Sequence, residues 1–149
     1  MKEEKFLYYA YASNLDFSTL EGRLSSAAKL QGIGALSHYG FRFNVQNADG
    51  SARANIVESI NETVYGLLFE IPSMDLEYFV KSEPGYDFIE MEILTKKGLI
   101  KAYTFVSHKT VDGIFPHQEY LDTIIRGGNT NGIPKGYLAS IINRAGRIH

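Results

Sequence analysis

The sequence predicts an α+β domain on three observations: an aromatic strand that runs through a polar turn into a helix, a middle rich in β-like runs, and two apolar-striped helices at the end. The chain has 149 residues, enough to bury roughly two-thirds of its unfolded surface around one core. One domain over residues 1–149 is the expectation, since no linker-like stretch, internal repeat or low-complexity segment divides the chain. Hydrophobic residues at 44% and charged residues at 21% are ordinary for a globular protein and exclude a disordered chain.

Each element has a local reason. Residues 6–11, Phe-Leu-Tyr-Tyr-Ala-Tyr, lack helical periodicity and are bounded by charge and by Ser13-Asn14, which predicts a buried strand ending at a turn. Ser18-Thr19-Leu20-Glu21 fits a capping box and predicts a short helix to about Ser26. Between residues 29 and 71, β-like runs at 30–36, 39–45, 54–58 and 63–71 are separated by Gly, Asn, Asp and Ser clusters. Pro72-Ser73 offers a stop and an N-cap. The recurrence of Leu76, Phe79 and Val80 then predicts a helix ending near Ser82, because Glu83 precedes Pro84. Residues 86–95 and 99–106 read as a hairpin around Lys96-Lys97-Gly98, its second strand buried on both faces at Tyr103 and Phe105. Pro116 opens a helix carrying Tyr120, Leu121, Ile124 and Ile125, with Gly127-Gly128 as its stop, and Pro134 opens another carrying Tyr137, Leu138, Ile141 and Ile142. Residues 46–53, 108–115 and 127–132 are left as flexible connections.

Charge and composition remove several function classes. The net charge is -2 and the 15 basic residues are scattered, so the basic footprint of a nucleic-acid partner is missing. The absence of cysteine excludes disulfides, thiolate metal sites and a Cys nucleophile. His38, His108, His117 and His149 form no close pair and no HExxH spacing, so no metal is expected. Gly32-Ile33-Gly34 matches neither a dinucleotide nor a P-loop fingerprint. Residues 1–5 are charged, and the apolar stretch after them is too short and too tyrosine-rich for a signal segment or membrane span, which makes a cytoplasmic location, with no membrane partner, the expectation.

Two places remain for chemistry. Tyr11-Ala12-Ser13-Asn14-Leu15 turns a strand toward a helix. Ser and Asn are ordinary turn residues, yet unpaired N–H groups at such a turn also form a receptor for a carboxylate. Glu83 lies between a helix stop and a Pro-Gly turn, beside Tyr86 and Phe88. A lone Glu is usually a solvated loop residue, but at the mouth of an apolar cavity desolvation would raise its pKa toward neutrality and equip it to take and return a proton. Ser13 lacks the flanking glycines of a nucleophile elbow, which leaves a serine hydrolase as a weaker enzyme reading.

At these residues the sequence resembles the γ-glutamylcyclotransferase family. That family has an N-terminal strand ending in Tyr-Gly-Ser-Asn-Leu and, after a helix, a Glu followed by Gly and a Tyr opening the next strand; here these are Tyr11-Ala12-Ser13-Asn14-Leu15 and Glu83-Pro84-Gly85-Tyr86. Val64-Tyr65-Gly66-Leu67-Leu68-Phe69 is similar to the family's Val-Trp-Gly-Val-Leu-Trp-type strand. Ile125-Arg126-Gly127-Gly128 with Asn131-Gly132-Ile133-Pro134 is similar to its Gly…Asn-Gly-Leu-Pro helix junction. The resemblance implies a small mixed β-barrel with flanking helices, acting as a monomer or homodimer on a small-molecule γ-glutamyl substrate without metal or cofactor. Residues 11–15 would bind the γ-glutamyl moiety and Glu83 would relay the proton as the substrate amine closes on its γ-carbonyl to give 5-oxoproline. By the same likeness Tyr86 and Tyr120 line the substrate site, a core role being equally open for each. Ala12 departs from the family's Gly, and a φ above zero there would cost of order 1 kcal/mol in strain. That departure keeps open a second reading, a ligand-binding member of the fold without turnover.

Overall fold

A computed structural model describes residues 4–146. Five strands, β1 (Lys5–Ala10), β2 (Lys29–Gln46), β3 (Ala52–Pro72), β4 (Asp87–Thr95) and β5 (Gly98–Val106), close into a barrel in the order β1-β3-β2-β4-β5. All pairings are antiparallel except β1 with β5, which meet in parallel at Tyr8 and Tyr103. Helices α1 (Phe17–Glu21), α2 (Leu76–Lys81), α3 (Gln118–Thr130) and α4 (Lys135–Arg144) flank it, giving the mixed barrel with flanking helices that the family resemblance implies. No described helix is long and apolar enough to cross a membrane.

The four β-like runs of the middle join into two long strands. Register shifts at Leu30/Gly32, Ser37/Tyr39 and Phe43/Val45 bend the β2–β3 ribbon, and His38 takes φ 67 at one of them. The breaks read at residues 37–38 and 59–62 are irregularities within β2 and β3, whereas the break at 46–53 does hold the turn between the two strands. The root of β3 pairs with β1, while the far end of the ribbon is tied to the chain beyond β5. There the Asn55 amide donates to Ser107 O (2.9 Å) and accepts from Ser107 N–H (3.0 Å). β1 is buried on both faces at Tyr8, Tyr9 and Ala10 because it runs between the barrel interior and the flanking elements.

Several local expectations are corrected. α1 starts at Phe17, not after Ser18, and ends at Glu21, well short of Ser26. Asp16 occupies the N-cap, its carboxylate accepting from Thr19 Oγ1 (2.7 Å) and Ser18 Oγ (3.1 Å), so the hydroxyl read as a cap is itself a donor to the residue before the helix. Ser73 opens a 3₁₀ turn, Ser73–Asp75, and Asp75 stands at the N-cap position of α2, its carboxylate accepting from the N–H groups of Ser25 (3.1 Å) and Ser26 (3.2 Å) and not from the helix. Tyr103 is 38% exposed and stacks on Phe88 at 5.4 Å, while Phe105, two residues on, is buried.

Gly127 and Gly128 do not stop α3; they lie inside it, the helix ending at Thr130. A Cβ on Gly127 would strike the backbone of Leu15 and Asp16, and one on Gly128 would strike Leu138 of α4. These glycines serve close approach, not helix termination. Asn131 Nδ2 completes the contact by donating to Leu15 O (3.1 Å) and Gly127 O (2.8 Å). The turn after β1 is thereby pressed against α3. Gly127→Ala should destabilise the fold by about 1–3 kcal/mol through overpacking against backbone that cannot rotate away. Thermal denaturation would show it, and a variant as stable as wild type would refute the close-approach argument.

Candidate functional site

A cleft of about 310 Å³ opens where the turn after β1 faces the connection from α2 to β4. Ala12, Ser13 and Asn14 line one wall and Glu83 and Tyr86 the other, although about seventy residues separate them in the chain. Tyr8, Tyr11, Ala54, Phe105 and Tyr120 complete the lining.

The turn itself is a single 3₁₀ turn, Ser13–Leu15, closed by Leu15 N–H donating to Ala12 O (2.9 Å). As the first two residues of that turn, Ser13 and Asn14 have N–H groups with no intrahelical acceptor. Asn14 is oriented from both ends: its amide nitrogen donates to Tyr8 Oη (2.9 Å) and its oxygen accepts from Arg23 Nη1 (2.7 Å). Ala12 sits at φ -133, so the residue that replaces the family's glycine needs no left-handed backbone and carries none of the strain considered above. Leu15 is fully buried and does not line the cleft.

Glu83 reaches the cleft because α2 stops at Lys81 and the chain reverses at once. Glu83 N–H donates to Val80 O and Tyr86 N–H to Glu83 O, both at 3.3 Å, with Gly85 at φ 89 supplying the left-handed residue the reversal requires. Beneath it, the rings of Tyr8, Phe79, Phe88 and Phe105 pack at 4.8–6.2 Å, edge-on or tilted except for Tyr8 and Phe88, which stack. The Glu83 side chain is 16% exposed, and two guanidinium groups meet it: Arg23 Nη1 at 2.9 Å from Oε1 and Arg53 Nη1 at 3.5 Å from Oε2. Burial raises its pKa, and the Arg23 and Arg53 charges, which favour the ionised form, offset only part of the rise.

Both predicted tyrosines line the cleft and both hold the Ala54 peptide. Tyr120 Oη accepts from Ala54 N–H (3.0 Å) and Tyr86 Oη donates to Ala54 O. Burial, relieved in part by the Ala54 N–H, pushes Tyr120 up to about 12. Burial also holds Tyr8, Tyr11 and Tyr86 well above the ordinary phenol value. These hydroxyls therefore stay protonated at neutral pH, and among the residues lining the cleft proton exchange falls to Glu83.

Other candidates lie elsewhere. Ser13 Oγ accepts from Arg23 Nη1 at 3.4 Å, a donor rather than the base a serine nucleophile would need. His108 and His117 pair with Asp87 and Asp49 on the surface, His38 bonds to Ile60 O, and His149 lies outside the described residues. Among the described residues no group of three or more His, Asp or Glu side chains could hold a metal ion. Sequence reasoning missed Arg23 and Arg53. Arg23 sits in what was read as a helix tail and Arg53 in what was read as a flexible connection, and no motif marks either.

The AIG2-like family matches residues 63–141. γ-Glutamylcyclotransferase of Mus musculus is 29% identical over 147 residues, spanning 90% of this chain and 76% of that protein. The Homo sapiens γ-glutamylcyclotransferase is 28% identical over 150 residues, spanning 91% and 76%. The solved structure of a γ-glutamyl cyclotransferase superposes with a TM-score of 0.81 at 25% identity, covering 93% of this chain and 87% of that one. An uncharacterized Homo sapiens protein shares the fold with a TM-score of 0.85 at 24% identity, covering 94% and 88%.

The electrostatic balance at Glu83 is open to measurement. Arg23→Met removes a charge that favours the carboxylate, so the Glu83 carboxyl, already above its ordinary value, should titrate higher still. A carbon-13 titration of the Glu83 carboxyl in both proteins reads this directly; an unchanged or lowered midpoint would contradict the pairing.

Proposed function

The chain belongs to the AIG2-like family, and on that premise we propose that it is a γ-glutamylcyclotransferase-type enzyme. It cyclises the γ-glutamyl group of a γ-glutamyl amino acid or amine to 5-oxoproline and releases the amine. One observation carries the reading: a largely buried carboxylate, Glu83, shares a cleft with the Ser13-Asn14 turn.

In this reading residues 11–14 receive the γ-glutamyl group and hold it bent, its α-nitrogen toward Glu83. Glu83 in its ionised form, which the Arg23 and Arg53 charges beside it favour, accepts a proton from the α-ammonium. The freed amine attacks the γ-carbonyl carbon, forming the new C–N bond, and the N–H groups of Ser13 and Asn14 steady the charge on the tetrahedral oxygen. Glu83 returns the proton to the departing nitrogen as the old C–N bond breaks, then takes the surplus proton from the new ring nitrogen, leaving it an amide N–H, and passes it to the released amine, which departs as its ammonium. Nucleophile and electrophile belong to one molecule, so holding the bent conformer supplies much of the rate. Tyr86 and Tyr120, with hydroxyls already bonded to Ala54, shape the wall and take no part in proton transfer. A cytoplasmic location belongs to the same proposal, and cell fractionation checks it.

The second reading, a ligand-binding member without turnover, draws on the ion pairs: a carboxylate met by a guanidinium on each oxygen is also what a purely structural network would contain. A panel of γ-glutamyl amino acids and amines, assayed for 5-oxoproline by mass spectrometry, separates the two. Glu83→Gln keeps the shape of the side chain but cannot cycle a proton, so turnover should fall by about 10²–10⁴-fold with substrate binding nearly intact. The acidic limb of the wild-type rate profile reports protonation of Glu83, falls above the ordinary carboxylate range because its pKa is raised, and should vanish in the variant. Equal 5-oxoproline release from both proteins would dismiss Glu83 as the proton carrier, and no release from wild type on any substrate would favour the binding protein.

A further inference from the structure

Arg53 stands at a boundary. On one side it meets Glu83, and its guanidinium carbon lies 4.9 Å from the ring centroid of Tyr86, both residues of the cleft. On the other it lines a second concavity of about 590 Å³ with Gln46, Ser107, Lys109 and Thr110, a groove with two cationic side chains and no carboxylate in its lining.

The guanidinium is lightly committed. A guanidinium offers five N–H donors and no acceptor. Here Nη2 donates to Pro84 O at 3.2 Å, the approach to Glu83 at 3.5 Å is a loose ion pair, and the buried Nε has no acceptor among the described residues. Arg23 differs: its Nη1 is bonded to Asn14 Oδ1 at 2.7 Å and to Glu83 at 2.9 Å, which commits it to the turn. Of the two arginines beside Glu83, Arg53 has the donors to spare.

We propose that Arg53, with the groove behind it, binds a carboxylate carried by the leaving amine, and so selects γ-glutamyl α-amino acids over γ-glutamyl amines that lack the acid. The inference rests on the cyclisation reading above. Glu83 must reach the departing nitrogen to return its proton, and in an α-amino acid the carboxylate is attached to the carbon next to that nitrogen, its oxygens about 3–4 Å away. Arg53 Nη1 lies 3.5 Å from the Glu83 oxygen that would make that approach. A carboxylate on the α-carbon therefore falls within reach of the guanidinium, and the side chain beyond it enters the groove. Lys109, exposed at the groove's edge, adds positive potential without fixing geometry. Planar, two-point recognition of a carboxylate is the contact for which arginine is suited.

γ-Glutamyl-alanine and γ-glutamyl-ethylamine differ only in that carboxylate. Wild type should show kcat/KM at least about 10-fold higher for the alanine compound, the usual worth of a charge-assisted hydrogen bond. In Arg53→Met the ratio should fall to near one, and in Arg53→Lys, which retains charge without the fork, it should be intermediate. Because each ratio compares two substrates on one protein, any effect of the substitution on Glu83 felt by both cancels. Arg53→Lys and the wild-type ratio keep the test decisive if Arg53→Met does not fold. A wild-type ratio near one, or a ratio unchanged by either substitution, overturns the assignment. If neither compound yields 5-oxoproline, cyclisation fails first, and calorimetry of the same two compounds judges Arg53 separately. Tighter binding of the alanine compound that is lost on substituting Arg53 sustains the site, and equal or undetectable binding overturns it.

Discussion

Placing a carboxylate among aromatic rings at the end of a barrel strips most of its hydration, and that constraint organises the site around Glu83. The ion pairs with Arg23 and Arg53 offset part of the cost, yet burial still wins and the pKa is raised. The result is a carboxyl group whose pKa lies above that of a surface glutamate, with two guanidinium groups beside it that favour the charged form. Arg23 does more than neutralise charge. One guanidinium nitrogen touches Glu83 and Asn14 at bonding distance, so the turn after β1 and the turn after α2 are held in one geometry.

That junction depends on packing remote from it. The turn containing Ser13 and Asn14 is backed by α3, which comes close only because Gly127 has no Cβ to strike Leu15 and Asp16. Glu83 is carried by α2, which is seated through Phe79 on Tyr8 and Phe105. Thus β1 supplies both the ring on which α2 rests and the hydroxyl that accepts from Asn14. A shift of β1 in its register would displace both walls of the cleft together. The far end of the β2–β3 ribbon adds the third side, bringing Ala54 to the two tyrosines and Arg53 to the rim.

Errors of local reading share one cause, which is that sequence signals report what a residue type does best and not what the surrounding chain demands. Gly127-Gly128 looked like a helix stop because glycine is poor in helices; packing against backbone on one side and Leu138 on the other outweighed that preference. Ser18 looked like an N-cap, but the preceding 3₁₀ turn ends so that Asp16 takes the place. The polar clusters at residues 37–38 and 59–62 looked like loops and are bulged strand, because a barrel of five strands needs long strands that bend, while the cluster at 47–51 is the turn it looked like.

By itself the sequence determined the order of elements, the strand that leads to Ser13-Asn14 and the end of α2 before Glu83, which follow from local patterning, whereas the tyrosines at 86 and 120 were implied only by the family likeness. It also determined what chemistry is unavailable, since no cysteine is present anywhere in the chain. Only the tertiary structure decided that Glu83 is largely buried, that Ala12 has a negative φ, that Leu15 lies outside the lining of the cleft, and that Arg23 and Arg53 are the charges beside Glu83. Burial and charge pairing are sums over residues distant in sequence, sixty positions for Arg23 and Glu83, and come into being only when the barrel closes.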